Sequence, residues 1–250
     1  DFRPVPLPVR MKTRIQNRVR KLEAPNVAGI LPGTGQPEQA VCLIAHIDHF
    51  GIGKPDATGD RIYNGASDNA TGVAAVIALA RAFRESKPRD SVVFLVVTGE
   101  EQGLLGSQYY TLHPLFPLEK TTAAISLDGL NVYGRTKDFE ALGAEQSRLG
   151  PLVEEVAASM GMVMRPDSQP ERGYFFRSDH FSFARAGVPG ISVNGGVDYV
   201  GQPAGWGEKK HNEYLAKMYH QPGDEIQPDW DMAGLVQVAD FVQRLVARIG

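Results

Sequence analysis

The chain has 250 residues, 42% hydrophobic and 22% charged, with a formal net charge of −3. This composition fits one α/β domain with a substantial core, offers no global field to draw the chain onto nucleic acid or an anionic membrane, and contains no apolar run approaching a membrane span. The single cysteine, Cys42, excludes an internal disulfide framework and a multi-thiolate zinc knuckle; inside AVCLIA it reads as a buried, inert thiol.

The chain opens at Asp1 rather than Met and lacks a signal-peptide pattern, so the expectation is that an N-terminal portion has been removed. DFRPVPLPV reads as an extended linker. Residues 10–22 then alternate, with Met11, Thr13, Ile15, Asn17 and Val19 on one face and Lys12, Arg14, Gln16, Arg18 and Arg20 on the other. That predicts a strand whose basic face keeps it at a sheet edge or in solvent. NVAGILPGTG predicts a strand closing in a Pro/Gly turn, and AVCLIA (40–45) a strand buried on both faces. Residues 69–85 predict a helix with Val73, Val76, Ile77, Ala80 and Phe83 on its apolar stripe, stopped by Pro88.

SVVFLVVT (91–98) is the strongest buried strand, LLGSQYYTL a helix ended near Pro114, and TAAISL (122–127) another strand. SRLGPLVEEVAASMG holds a further helix, and Gly190–Val193 form a short strand. Residues 229–249 form a terminal helix with Met232, Leu235, Val236, Ala239, Val242 and Leu245 inward. Buried strands alternating with helices indicate a three-layer α/β sandwich around a central mixed, mostly parallel sheet. Residues 1–25 are expected to be an N-terminal linker and first strand, and residues 26–250 the main domain.

Five segments carry metal-seeking side chains: AHIDHF (45–50), NGASDNATG (64–72), TGEEQG (98–103), SLDGLN (126–131) and MYHQPGDE (218–225). His46, Glu100, Glu101 and Asp128 each follow a strand, where sites form in parallel α/β sheets. Imidazoles and carboxylates without thiolates suit zinc or a similar divalent ion. Asp48 can orient the His46 ring; His49 could also ligate, but reads first as a turn residue near the site. Asp68 alone would be a helix N-cap, but the glycines around it permit a backbone that aims its carboxylate at an ion. Glu100 and Glu101 are like charges beside a buried strand, costly without a cation; one can ligate while the other serves as base for a bound water. Asp128 is equally expensive unpaired. His220 alone would be a surface residue, and the Tyr219 phenol beside it can donate to a developing oxyanion. Two histidines and three carboxylates hold two ions if one carboxylate bridges. Two ions suit hydrolysis, because together they acidify a shared water and polarise a carbonyl.

In this order, H-x-D, S-D-N-A-T-G, G-E-E-Q-G-L-L-G-S, L-D and Y-H-x-P-x-D resemble the M28 family of dizinc peptidases, over roughly residues 26–249. The resemblance implies two Zn2+ per chain, other divalent ions being alternatives. It places His46 and Asp128 on one ion, Glu101 and His220 on the other, and Asp68 between them. It implies that Asp48 orients His46, that Glu100 is the general base, and that Tyr219 stabilises the oxyanion. It also implies a cis peptide at Asp68–Asn69. FRSDHFSF resembles a family segment lining the substrate pocket, which makes Arg177, Ser178 and Asp179 substrate-binding candidates.

The implied activity is an exopeptidase, above all an aminopeptidase, taking a peptide or protein N-terminus in an extracytoplasmic compartment; the sequence leaves the oligomeric state open. Alternatives on the same scaffold are a glutaminyl cyclase, which uses one zinc, and a carboxypeptidase. A receptor-like binding module would have lost ligands or the base, and all are present. A metallo-β-lactamase-like hydrolase is discounted, because it needs a histidine where Ile44 stands.

Overall fold

The computed structural model describes residues 2–167 and 169–250. Among the described residues, nine strands and six α-helices follow in chain order: β1 (Val27–Leu31), β2 (Gln36–His46), β3 (Gly51–Ile52), β4 (Ile62–Tyr63), α1 (Thr71–Glu85), β5 (Asp90–Val97), α2 (Leu105–Leu112), β6 (Thr121–Ser126), β7 (Asp138–Leu142), α3 (Gly150–Ser159), β8 (Val163–Arg165), α4 (His180–Arg185), β9 (Gly190–Gly195), α5 (Trp206–Lys217) and α6 (Ala233–Ile249). Seven strands form one sheet in the order β1-β5-β2-β6-β9-β7-β8, and β3 pairs with β4 in a separate ribbon. Strands β5, β2, β6 and β9 run parallel. At the edges β1 is antiparallel to β5 and β7 antiparallel to β9. The sheet is therefore mixed and mostly parallel, as the element pattern indicates.

The alternation of side chains along β2 builds the layers. Val41, Leu43 and Ala45 point into the core formed with α1, α3 and α6, where Phe83, Phe139 and Phe241 are also buried. Ala40, Cys42 and Ile44 point the other way, against Tyr110 of α2 and Phe183 of α4. A strand covered on both faces needs apolar residues at both parities, which is why AVCLIA is an unbroken apolar run.

Three expectations are corrected. Residues 10–22 form no strand and lie exposed, because no neighbouring strand pairs with their alternating pattern. In α1 the stripe is Ala75, Val76, Leu79 and Phe83, while Ile77 faces out at 48% exposure. In α6 the inward set is Val238, Phe241, Val242, Leu245 and Val246, with Met232 and Val236 exposed; the i, i+3, i+4, i+7, i+8 spacing fits a helical face better than the set read from sequence. Strands β7 and β8 and helix α5 were not legible, being short or strongly polar. Among the described residues no helix is long and apolar enough to cross a membrane.

Candidate metal centre

Three of the five motif segments emerge side by side. Strands β5, β2 and β6 are adjacent and parallel, so the residues following each C-terminal end share one edge of the sheet. His46 ends β2, Glu100 and Glu101 follow β5, and Asp128 follows β6. Asp68 enters from the segment before α1, and His220 from the turn after α5. His46 Nε2 lies 3.2 Å from Asp68 Oδ1 and 3.2 Å from Asp128 Oδ1. On the opposite side His220 Nε2 lies 3.3 Å from Asp68 Oδ2 and 3.3 Å from Glu101 Oε2. Asp68 thus presents one carboxylate oxygen to each half of the cluster.

A frame of hydrogen bonds holds these groups. The buried Asp224 carboxylate accepts the backbone N–H groups of Ser67 and Asp68, both at 3.0 Å. Asn69 donates to the Leu127 carbonyl at 2.9 Å and accepts from Gly72 N–H at 2.9 Å and Gly129 N–H at 3.3 Å. It ties the Asp68 segment to the Asp128 segment. The Asp68–Asn69 peptide is cis. Gly65 has φ +67°, and a Cβ there would fall 2.8 Å from the His49 ring, so only glycine fits. His220 sits at φ 56°, a left-handed conformation that a non-glycine residue adopts at a cost.

Asp48 takes a different part from the one its spacing implies. Its carboxylate accepts the N–H groups of Glu100 at 3.1 Å and Glu101 at 3.3 Å, and lies 3.9 Å from His46 Nδ1. The His46 Nδ1–H donates instead to the Asp48 main-chain carbonyl at 3.1 Å. A carbonyl only accepts, so this contact places a proton on Nδ1 and turns Nε2 toward Asp68 and Asp128.

His49, read from sequence as a turn residue, lies inside the cluster. Its Nδ1 is 2.7 Å from Glu101 Oε1, and it joins Asp68 and Glu101 in a group whose ligand atoms all lie within 4.8 Å; His46, Asp68 and Asp128 form a second such group. The residue directly after H-x-D gives no sequence signal of its own, because the contact depends on how the chain turns after β2. Asp224 closes the Y-H-x-P-x-D motif, but its clamp was hidden, being a contact between segments 156 residues apart.

The electrostatics are those of a site made for cations. Burial works to lower the His46 pKa, but hydrogen bonds to Asp128 and Asp68 outweigh it and hold the ring well above its usual value. Burial works to raise Asp68, but hydrogen bonds from His220 and His46 hold it well below the carboxylate range. Glu100 is pushed up to about 9, first by burial and then by the charge of Asp128. The Tyr219 phenol is raised by burial and by the Asp68 and Glu101 charges, so it keeps its proton; its ring stacks on His220 at 3.7 Å. Nitrogen and oxygen donors without sulfur, converging from distant segments, are a donor set that fits two zinc-like ions.

The segment expected to line a substrate pocket is mostly inside the protein. Asp179 is wholly buried, and the Ser178 hydroxyl shares a hydrogen bond of 2.8 Å with Ser126. Arg177 is exposed, with its guanidinium over the Tyr174 ring at 5.3 Å. A cavity of about 520 Å³ lies elsewhere, bordered by Ser67 and Gly129, the neighbours of Asp68 and Asp128. None of the three candidates lines it, because the turn into α4 directs Ser178 and Asp179 inward.

A profile of peptidase family M28 matches residues 26–246. A stretch of 84 residues, 34% of this chain, is 36% identical to a probable zinc metalloprotease of Leptosphaeria maculans and covers 19% of it. A longer match of 205 residues, 77% of this chain, is 26% identical to a probable leucine aminopeptidase 2 of Aspergillus oryzae and covers 38% of it. The chain therefore spans less than half the length of these curated relatives. Among solved structures, a zinc aminopeptidase from Bacillus subtilis is similar in fold, with a TM-score of 0.64 and 21% identity, covering 88% of this chain and 49% of that one.

Proposed function

Since this chain belongs to peptidase family M28, we propose that it is a zinc-dependent exopeptidase that removes residues from peptide N-termini. In this reading residues 26–250 are the catalytic domain, and His46, Asp68, Glu101, Asp128 and His220 would hold the zinc, with Asp68 placed between the two halves of the cluster. The observation that carries it is the two-sided placement of Asp68, with Oδ1 3.2 Å from His46 and Oδ2 3.3 Å from His220. A pair of zinc ions held there would acidify a shared water and polarise the scissile carbonyl.

The chain's own residues do the rest. Glu100 is half-buried beside Asp128, and the cations held there would offset the burial and the carboxylate repulsion that raise its pKa, leaving it ionised and ready to act as a base. It therefore accepts the proton of the attacking water and returns it to the leaving amine. Tyr219 keeps its proton and donates to the oxygen on which charge develops. Asp48 anchors the Glu100–Glu101 backbone, so base and ligand stay in register. The relatives named as a zinc metalloprotease and a leucine aminopeptidase support the same reading.

Glu100→Gln tests the base directly. The variant is expected to bind two zinc ions per chain and to lose about 10²–10⁴ in kcat on an aminoacyl anilide. Turnover close to that of the parent would remove Glu100 from the role. One zinc per chain, with cyclisation of an N-terminal glutaminyl peptide, would favour a cyclase on this scaffold instead.

A further inference from the structure

The cavity beside the metal centre has a charge that the reaction chemistry does not use. Its floor is a row of side chains across three strands. Glu140 on β7 stands opposite Asn194 on β9 and Arg165 on β8 in the sheet register. Phe139 and Ala141, the neighbours of Glu140, point into the core, so strand alternation turns Glu140 toward the cavity. Asn194 donates to the Gly129 carbonyl at 2.8 Å and accepts from Asn131 N–H at 3.0 Å. The floor is thereby tied to the turn that carries Asp128. One wall is α5, whose Gly207, His211 and Tyr214 line the cavity together with Glu208.

Three carboxylates line this space, Glu140, Asp167 and Glu208, against one guanidinium, Arg165. Arg165 is already engaged by Asp138, whose other bonds come from the Val197 and Asp198 N–H groups. Glu140 is half-buried, and among the described residues it has neither an ion pair nor a hydrogen-bond partner within the protein. Burial, then the Asp167 and Asp138 charges, push it up to about 7 against the pull of Arg165. His211 is held low by burial and by Arg172, which disfavours a positive charge on its ring. Tyr133, Tyr174 and Tyr199 complete the lining with aromatic surface. A carboxylate left without a counterion in a partly dry cavity is unfavourable until a guest brings one.

We propose that this cavity receives the side chain of the substrate's N-terminal residue and selects lysine or arginine, with Glu140 as the specificity-determining group and Asp167 beside it. The assignment rests on the aminopeptidase reading above. About 520 Å³ accommodates an extended lysyl or arginyl side chain. Its methylene stem lies along the tyrosine rings and its cationic head meets Glu140. A leucyl side chain fits the volume but leaves the carboxylate unpaired.

The test compares lysyl, arginyl, leucyl and glutamyl 4-nitroanilides with the zinc-loaded full chain. The expected result is kcat/KM at least about tenfold higher for the two cationic substrates than for the leucyl one, with the glutamyl substrate poorest. In Glu140→Gln the lysyl-to-leucyl ratio is expected to fall about tenfold or more, mainly through KM, because the contact is made equally in ground and transition states. Asp167→Asn, on the segment after β8, moves the ratio in the same direction if Glu140→Gln does not fold. Leucyl hydrolysis equal to or above lysyl in the parent, or an unmoved ratio in a folded Glu140→Gln, overturns the assignment. Hydrolysis of none of the four would instead remove the aminopeptidase reading. Calorimetric binding of L-lysine against L-norleucine then decides the cavity alone: norleucine binding as tightly as lysine overturns it.

Discussion

At the scale of single residues, His49 shows how little the local sequence says about a contact made through space. On β2's exit it is the last of four residues in H-I-D-H, and nothing in that spacing ranks it above a turn histidine. The fold brings it 2.7 Å from Glu101 Oε1, which leaves Oε2 facing His220. A group that pins one oxygen of a ligating carboxylate restricts how the other can approach an ion, and loss of such a partner commonly weakens metal binding 10–100-fold. His49→Ala is accordingly expected to weaken the zinc bound on the Glu101 side by about that factor, with His49→Asn recovering part of the loss because it keeps a donor. Competition with a fluorescent chelator measures it, and an unchanged affinity in His49→Ala would leave His49 a packing residue. His46, Asp68, Glu101, Asp128 and His220, named from five separate motifs, come together in space; Glu101 and Asp128 stand out as acids beside buried strands, whereas Asp68 and His220 taken alone read as a helix cap and a surface residue. Asp48 was legible as a site residue but not in its contacts, since the same carboxylate reaches either an imidazole or a pair of backbone N–H groups.

At the scale of elements, the site is legible because parallel strands have directions. Three apolar runs each ending in His, Asp or Glu put those residues at one edge as soon as β5, β2 and β6 lie side by side. The junction of α1 with the end of β6 is the point where this arrangement is most tightly constrained. A Cβ on Gly72 would fall 2.1 Å from the Leu127 carbonyl and 2.3 Å from Asn69 Oδ1. Gly72→Ala must therefore push α1 away from the segment that carries Asp128. The expected effect is a stability loss of about 1–3 kcal/mol together with weakened zinc binding. Gly29→Ala, on β1 with open space around the new methyl, is the control. Equal urea midpoints for the two variants would refute the close-approach argument. Short or polar elements escaped the sequence: β7 and β8 are only five and three residues long, and α5 is mostly polar and turns a polar side to the cavity. The alternating 10–22 segment erred in the other direction, because a strand pattern without a pairing neighbour does not become a strand.

At the scale of the whole molecule, the metal centre is also a stability device. Asp68, Glu101, Asp128 and Glu100 converge from separate segments, and their mutual repulsion is relieved only in part by His46, His49 and His220. An ion that binds the folded chain alone adds about 4 kcal/mol when present at a thousand times its dissociation constant. For a chain of this size that corresponds to a melting temperature roughly 10 °C higher with zinc than after chelation. A scan with and without 1,10-phenanthroline checks it; coincident transitions would mean that no tightly held cation occupies the site. By itself, the order of apolar runs and of acid and histidine motifs determined the sandwich, the family and the edge of the sheet on which chemistry is placed, because burial and strand direction follow from local pattern. Only the tertiary structure decided which oxygen faces which imidazole, that His49 and Asp224 belong to the frame, and that the adjoining cavity is lined by Glu140 rather than by Asp179. Those facts depend on contacts between residues far apart in the chain, and the backbone path that creates them has no signature in any single segment.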